Sequence, residues 1–445
     1  MLEVLNTLLW GPGTLTLILG TGVWLTLRTG GFPQRNLGRA LTLSLGREAR
    51  RKGRGGVSPF GSLMTALAST VGTGNIVGVA AALVSGGPGA LVWMELAAFL
   101  GLAAKFAECM LAVKYRHVRR DGTRWGGPMA VMETRLGPAG AVLGRSYALF
   151  ALLMAFAMGA MAQSGALADT FSAAFTLPRW RVGLVTAALT LTILLGGIRR
   201  IADISTVLVP VMALLYLGGG LAVILGNLRR LPEAVTLMLR CAVAPEATLG
   251  GALGIVTRRE ALRWGVARGV FSNEAGLGSA AITAACADTE DPVRQGLISM
   301  TGVFFDTMVI CAVTGLAICC SGTLGAADGN GRPLTGAALT LRAFETVLGP
   351  LAPWLIGVAL GLFAFTSVLG CAVQAETTAS YLLGPEAVRP CRVLYGLAVF
   401  AGAVIPMATV LQLADLANAL MAFPNLVCLL LLSDEIAGEC RRKDR

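Results

Sequence analysis

The sequence predicts an all-α membrane protein of about eleven spans: two five-helix halves preceded by one extra N-terminal helix. Three observations predict it. Hydrophobic residues make up 55% of the 445 and charged residues only 14%, against about 25% charged in a soluble domain. Glycine, at 57 residues, is nearly twice its usual share, which suits close helix packing in lipid. Two apolar runs are also broken at mid-depth by polar residues and paired glycines, at matching places in the two halves.

The first apolar stretch, from about Leu8 to Leu27, follows Glu3 with no basic residue before it, and many arginines come after it. It is longer than a signal-peptide core, so it reads as an uncleaved helix with its N-terminus outside. Hydropathy places the spans at roughly 8–28, 58–83, 88–113, 143–173, 180–198, 201–226, 263–287, 294–321, 351–382, 391–407 and 410–432. Each is long enough to cross a bilayer or nearly so. These divide one transporter unit into the extra helix (8–28), a first repeat (58–226) and a second (263–432).

The loop 28–57 holds Arg28, Arg35, Arg39, Arg47, Arg50, Arg51, Lys52 and Arg54 against a single Glu48. The loop 114–146 holds a second basic cluster, and the tail ends in Arg441-Arg442-Lys443. The positive-inside rule puts all three in the cytoplasm: N-terminus out, C-terminus in, multi-pass in the cell inner or plasma membrane. The net charge of +11 is thus a topology signal, and no nucleic-acid or protein partner is indicated. The segment 227–262 falls outside yet carries Arg229, Arg230, Arg240, Arg258 and Arg259; part of it reads as an amphipathic surface helix. Residues 328–348, a Gly-rich loop and then a short helix, read as an external cap.

Ten cysteines without CxxC spacing, mostly in apolar runs, read as buried thiols. His117 is the one histidine, which argues against a His-based triad or a zinc site. No cofactor and no transition metal is expected. The acids Glu95, Asp169, Asp203, Glu274, Asp306, Glu376 and Asp415 are scattered over different spans, unlike an intramembrane enzyme's catalytic set. A channel's pore-lining repeats and filter loop are not seen either.

The first break is centred on Gly72-Thr73-Gly74-Asn75, inside Ala66–Gly78. Two glycines cost about 1 kcal/mol each in a helix, and unpaired backbone in hydrocarbon costs several kcal/mol more per group. A bound ion or solute at the midplane is the usual partner. The second break lies in Arg268-Gly-Val-Phe-Ser-Asn-Glu-Ala-Gly-Leu-Gly-Ser279. Glycines alone could serve packing; Asn75, Asn273 and Glu274 beside them point to a site. An acid at mid-span costs roughly 2.5–3.5 kcal/mol on insertion scales. Glu274 therefore reads as a cation-site organiser, a proton carrier, or a carboxylate tying broken backbone together. Thr366 and Ser367 offer adjacent hard oxygens to sodium, unless each bonds its own i−4 carbonyl. Gln163, among small residues, suits a substrate amine or carboxylate, or plain packing.

These motifs resemble the alanine or glycine:cation symporter family over nearly the whole chain. The resemblance rests on Ser58-Pro-Phe, Val71–Gly78, Gly86-Gly-Pro-Gly-Ala and Ala104-Lys-Phe-Ala-Glu108. It extends through Leu111–Arg116, Gly126-Gly-Pro-Met129, Gly265–Ser279, Asp291–Gly296 and Phe305-Asp-Thr307. It implies a LeuT-like fold of inverted five-helix repeats and uptake of a small neutral amino acid with Na+ as coupling ion. Proton coupling through Glu274 is the alternative. It implies substrate contacts from Gly72, Thr73, Gly74, Asn75, Gln163, Phe271, Asn273 and the position of Cys371. It implies sodium ligands from the Ala68 and Val71 carbonyls, Asn75, Ser272, Thr366 and Ser367. The departures are Cys371 where the family has tryptophan, Val373-Gln374 for a tyrosine pair, and Ala160 and Gly165 for asparagines. Losing the indole is expected to open the pocket to a larger amino acid or relax specificity.

Overall fold

The computed structural model describes residues 9–53, 57–118, 122–243, 246–249, 254–329 and 331–444. A helix lies on each expected span. The extra helix is α1, Pro12–Arg28. The next span is split into α2, Pro59–Thr70, and α3, Val77–Gly86, bent by 62°. Then come α4, Gly89–Lys114, and α5, Pro128–Met154, which passes through a π-helical stretch, Ala155–Ala162, into α6, Gln163–Phe175. The first half closes with α7, Arg179–Leu194, and α8, Gly197–Gly226.

A surface helix, α9 (Leu231–Val243), joins the halves, burying Ala234, Met238, Cys241 and Ala242. It is followed by a two-stranded hairpin, β3 (Glu246–Leu249) with β4 (Gly254–Thr257). An earlier hairpin, β1 (His117–Val118) with β2 (Arg124–Trp125), lies in the loop after α4. The second half opens with α10, Arg258–Asn273, and α11, Ser279–Ala285. Next come α12, Pro292–Val303, a second π-helical stretch, Phe304–Cys311, and α13, Ala312–Ser321. The segment expected to form a cap holds α14, Gly336–Leu348. The remaining helices are α15, Ala352–Leu383; α16, Val388–Val404; α17, Met407–Leu431; and α18, Ser433–Asp444.

Among the described residues seven helical runs are long and apolar enough to span alone, and α2 with α3 makes an eighth. The helices α1 and α7, with 17 and 16 residues, reach about 25 Å at 1.5 Å per residue, short of a ~30 Å core. The span expected from 143 begins earlier, at Pro128. A kink at Gly137 (φ 62, ψ −144) before Pro138 separates its first turns from the membrane run, because the residue before a proline avoids the helical region. All ten cysteines are free thiols.

Two helices position the site. α4 is buried without interruption from Gly101 to Val113 because α10, α11 and α12 all pack on it. α15 packs on α2, α6 and α8. The helix α14 lies against α3, and the Thr340 hydroxyl donates to the Ile76 carbonyl at 3.3 Å, just past the first break.

Candidate substrate and cation site

α2 stops because Gly72 turns its N–H away from the helix. That donor would close a turn on the Ala68 carbonyl; it goes instead to Asn75 Oδ1 at 3.1 Å. The Ala68 carbonyl loses its i+4 donor in the same stroke. Val71 and Gly72 are extended, and a single 3-10 turn, Thr73–Asn75, leads into α3. Gly72 must be glycine: a Cβ there would lie 2.7 Å from Ser367 Oγ and 3.5 Å from the Gln163 amide. Thr73 Oγ1 donates to Gln163 Oε1 at 3.3 Å. Gly74 faces the Phe271 ring, 3.7 Å from where its Cβ would be. So Gly72, Thr73, Gln163 and Ser367 converge at the first break, with Gly74 and Phe271 beside them.

The second break follows Asn273. Glu274 sits in the left-handed region at φ 52, followed by Gly276 at φ 85 and Gly278 at φ 81. Asn273 Oδ1 accepts from Ala275 N at 2.9 Å, and its amide donates to Thr307 Oγ1 at 3.1 Å. Glu274 aims back at its own chain: its carboxylate accepts from the Ser279 hydroxyl.

One fully buried acid joins the two breaks. Asp306, on the Phe304–Cys311 stretch, accepts from Asn75 Nδ2 at 2.8 Å, Ser272 Oγ at 3.0 Å and Thr307 Oγ1 at 2.9 Å. Sequence reasoning left Asp306 among the scattered acids. Its signal was present in Phe305-Asp-Thr307, an acid in an apolar span. A second clamp was missed as well. Glu108 Oε2 accepts from Gly276 N (3.1 Å), Gly278 N (3.0 Å) and Asn425 Nδ2 (3.1 Å). Lys105 Nζ donates to the Glu274 carbonyl at 2.9 Å and lies 3.3 Å from Glu108 Oε1. A Lys and a Glu three apart inside an apolar span were the clue, since buried charges persist only when paired.

The expected sodium ligands divide. Ser367 Oγ reaches the Val71 carbonyl at 3.5 Å and donates to Phe363 O at 3.0 Å. Thr366 Oγ1 donates to Leu362 O at 2.9 Å and lies 3.2 Å from Met212 Sδ, on the face toward α8. Ala68 sits under Gly370, whose Cβ would lie 2.9 Å from the Ala68 carbonyl carbon. Asn75 is fully buried, its amide satisfied by Gly72 and Asp306. None of the contacts that join Gly72, Thr73, Gln163 and Ser367 involves Cys371, whose surroundings are closely packed. A Cβ on Gly159 would lie 2.2 Å from Cys371 Cβ, and the Tyr395 hydroxyl closes the same seam. The helices approach where an indole would need room.

Broken helices pinned to each other, with small and polar groups meeting at the break, define a membrane carrier with a LeuT-type fold, not an enzyme. The chain belongs to the sodium:alanine symporter family, whose model matches residues 1–442. It is 41% identical to the sodium/alanine symporter AgcS of Methanococcus maripaludis, over 99% of this chain and 96% of that protein. It is 36% identical to the probable sodium/glutamine symporter GlnT of Bacillus subtilis, over 97% and 87%. Among solved structures it resembles MhsT in complex with L-phenylalanine, at TM-score 0.58 and 13% identity over 84% of this chain and 88% of that one. At that identity the likeness concerns the fold.

Proposed function

We propose that this protein takes up a small neutral amino acid together with sodium, by alternating access around the two breaks. The carrying observation is the convergence of Gly72, Thr73, Gln163 and Ser367 on the first break. The substrate carboxylate sits against backbone N–H groups near Gly72–Asn75, and the Gln163 amide orients it. Sodium takes the Val71 carbonyl, the freed Ala68 carbonyl and Ser367. A second cation position lies at Asp306 with Asn75 and Ser272, where, among the described residues, a carboxylate meets both breaks. A helix-end dipole contributes about 0.3–2 kcal/mol, against roughly 8 kcal/mol for micromolar affinity; hydrogen bonds and the ions supply the rest. Each ligand then raises the other's affinity by one common factor.

The likeness to the sodium/alanine symporter AgcS supports a small substrate over a larger one. The Glu274 carboxylate takes the Ser279 hydroxyl and Lys105 holds the Glu274 carbonyl, a local structural setting that supports sodium over proton coupling. The termini follow the basic loops: N outside, C cytoplasmic. The deciding experiment is uptake of alanine, glycine and glutamine into proteoliposomes, with sodium or choline outside, at two pH values. Sodium-dependent alanine uptake insensitive to pH is expected. Uptake that persists in choline and rises in acid would establish proton coupling instead.

A further inference from the structure

A cavity of about 290 Å³ opens beyond the site, lined by Arg124 and Trp125 of β2, Arg199 of α8, Glu376 and Thr377 of α15, and Arg392 of α16. That volume is at the small end for a small-molecule site. Glu376 is nine residues past Ser367 on α15, about 13 Å along the axis. Cys286, just past α11, lines the cavity too, so the cavity is bordered by α15, which carries Ser367, and by the end of the helix that follows the second break.

Its chemistry is specific. Arg392 binds Glu376 as a fork, Nε to Oε1 and Nη2 to Oε2, each at 2.8 Å. Arg124 is held by Asp288 and Glu290, outside the lining. Arg199 makes no ion pair among the described residues. Arg199 therefore offers a guanidinium with no ion pair among the described residues, beside the Glu376–Arg392 pair, so the lining presents both a cation and an anion. A zwitterion fits better than either ion alone. Its carboxylate takes a guanidinium fork, and its ammonium takes Glu376, so the Glu376–Arg392 pair can open without leaving a bare charge.

We propose that this cavity is a second, weaker amino-acid site on the release path, reading the α-carboxylate through Arg199 and Arg392 and the α-ammonium through Glu376. It rests on the symport reading above. The test is alanine transport in proteoliposomes of fixed orientation, with half-saturation measured from each side. The proteins are wild type, Arg199→Gln, and the charge-neutral double variant Glu376→Gln/Arg392→Gln. Both variants should raise the half-saturation on the Arg392 side about fivefold or more, with the opposite side changed less than about twofold. Unchanged values on the Arg392 side overturn the proposal. Equal shifts on both sides also overturn it, because they mark a global effect. A shift seen only with anionic lipid overturns it in favour of a headgroup. Arg199 is exposed, so its variant keeps the test alive if the double variant fails to fold. If wild type moves no amino acid with sodium, the symport reading itself is refuted, and this proposal with it.

Discussion

Gly72 carries the sharpest single-residue expectation. Its backbone is extended, φ −132, so alanine brings no strain of its own; the added methyl collides with Ser367 Oγ at 2.7 Å. Gly72→Ala should keep the melting temperature within a few degrees while cutting sodium-dependent uptake at least about tenfold. A folded variant with normal uptake would remove Gly72 from the site. The two hydroxyls should part company as well. Ser367→Ala should raise the sodium half-saturation by roughly tenfold, the loss of one close oxygen, whereas Thr366→Ala, facing Met212, should change it less. Equal effects in sodium titrations of uptake would contradict that order. Gly72, Gln163 and Ser367 were legible from residue type in an apolar span. Asp306 was not, because its meaning lies in meeting Asn75 and Ser272, 231 and 34 residues away. At Cys371 the lost ring is visible in sequence, but the close approach of the neighbouring helix at Gly159 is not.

At the scale of elements, both breaks were legible because glycines and polar residues interrupt hydrophobic runs. What holds them lies on other helices. The second break hangs on α4 and α17: Glu108 and Asn425 satisfy Gly276 and Gly278, and Lys105 satisfies the Glu274 carbonyl. Glu108→Ala strands a buried lysine and two backbone donors, so it should cost about 3–5 kcal/mol. The double variant Lys105→Met/Glu108→Gln retains an acceptor for the glycines and leaves no lone charge; it should cost less. Thermal unfolding in detergent ranks the two. A double variant as damaged as the single one would mean the ion pair itself does not hold the break.

At the scale of the whole molecule, the basic loops have partners within the chain. α18 lays its acids across them. Glu435 lies 2.7 Å from Lys114 and 3.1 Å from Arg135, and Glu439 lies 2.7 Å from Lys114. Arg28 pairs with Asp434, Arg35 with Asp444 at 3.3 Å, and Lys443 with Asp291 at 2.6 Å. One C-terminal helix thereby ties α1 to α4, α5 and the start of α12, a role that charge counting along the chain cannot reveal. Burial alone would raise the Glu435 carboxyl, but hydrogen bonds from Lys114 and Tyr115 and the charges of Lys114 and Arg135 outweigh it and hold it below the usual range. Asp291 is likewise held low, its burial outweighed by Lys443 and the Arg294 backbone N–H. A depressed folded-state value means the stability is present above the ordinary carboxylate range and drains away as pH falls through it. Thermal melts from neutral pH down to about pH 3.5 should therefore show an acid limb that is shallower in Glu435→Gln. At neutral pH that variant should melt about 1–3 °C lower, a small shift because the cluster is partly solvated, and high salt should shrink the gap. Parallel melting curves for the two proteins across that range would show that α18 is held by its apolar face (Ile436, Ala437 and Cys440 are buried) and that the ionic strap contributes nothing.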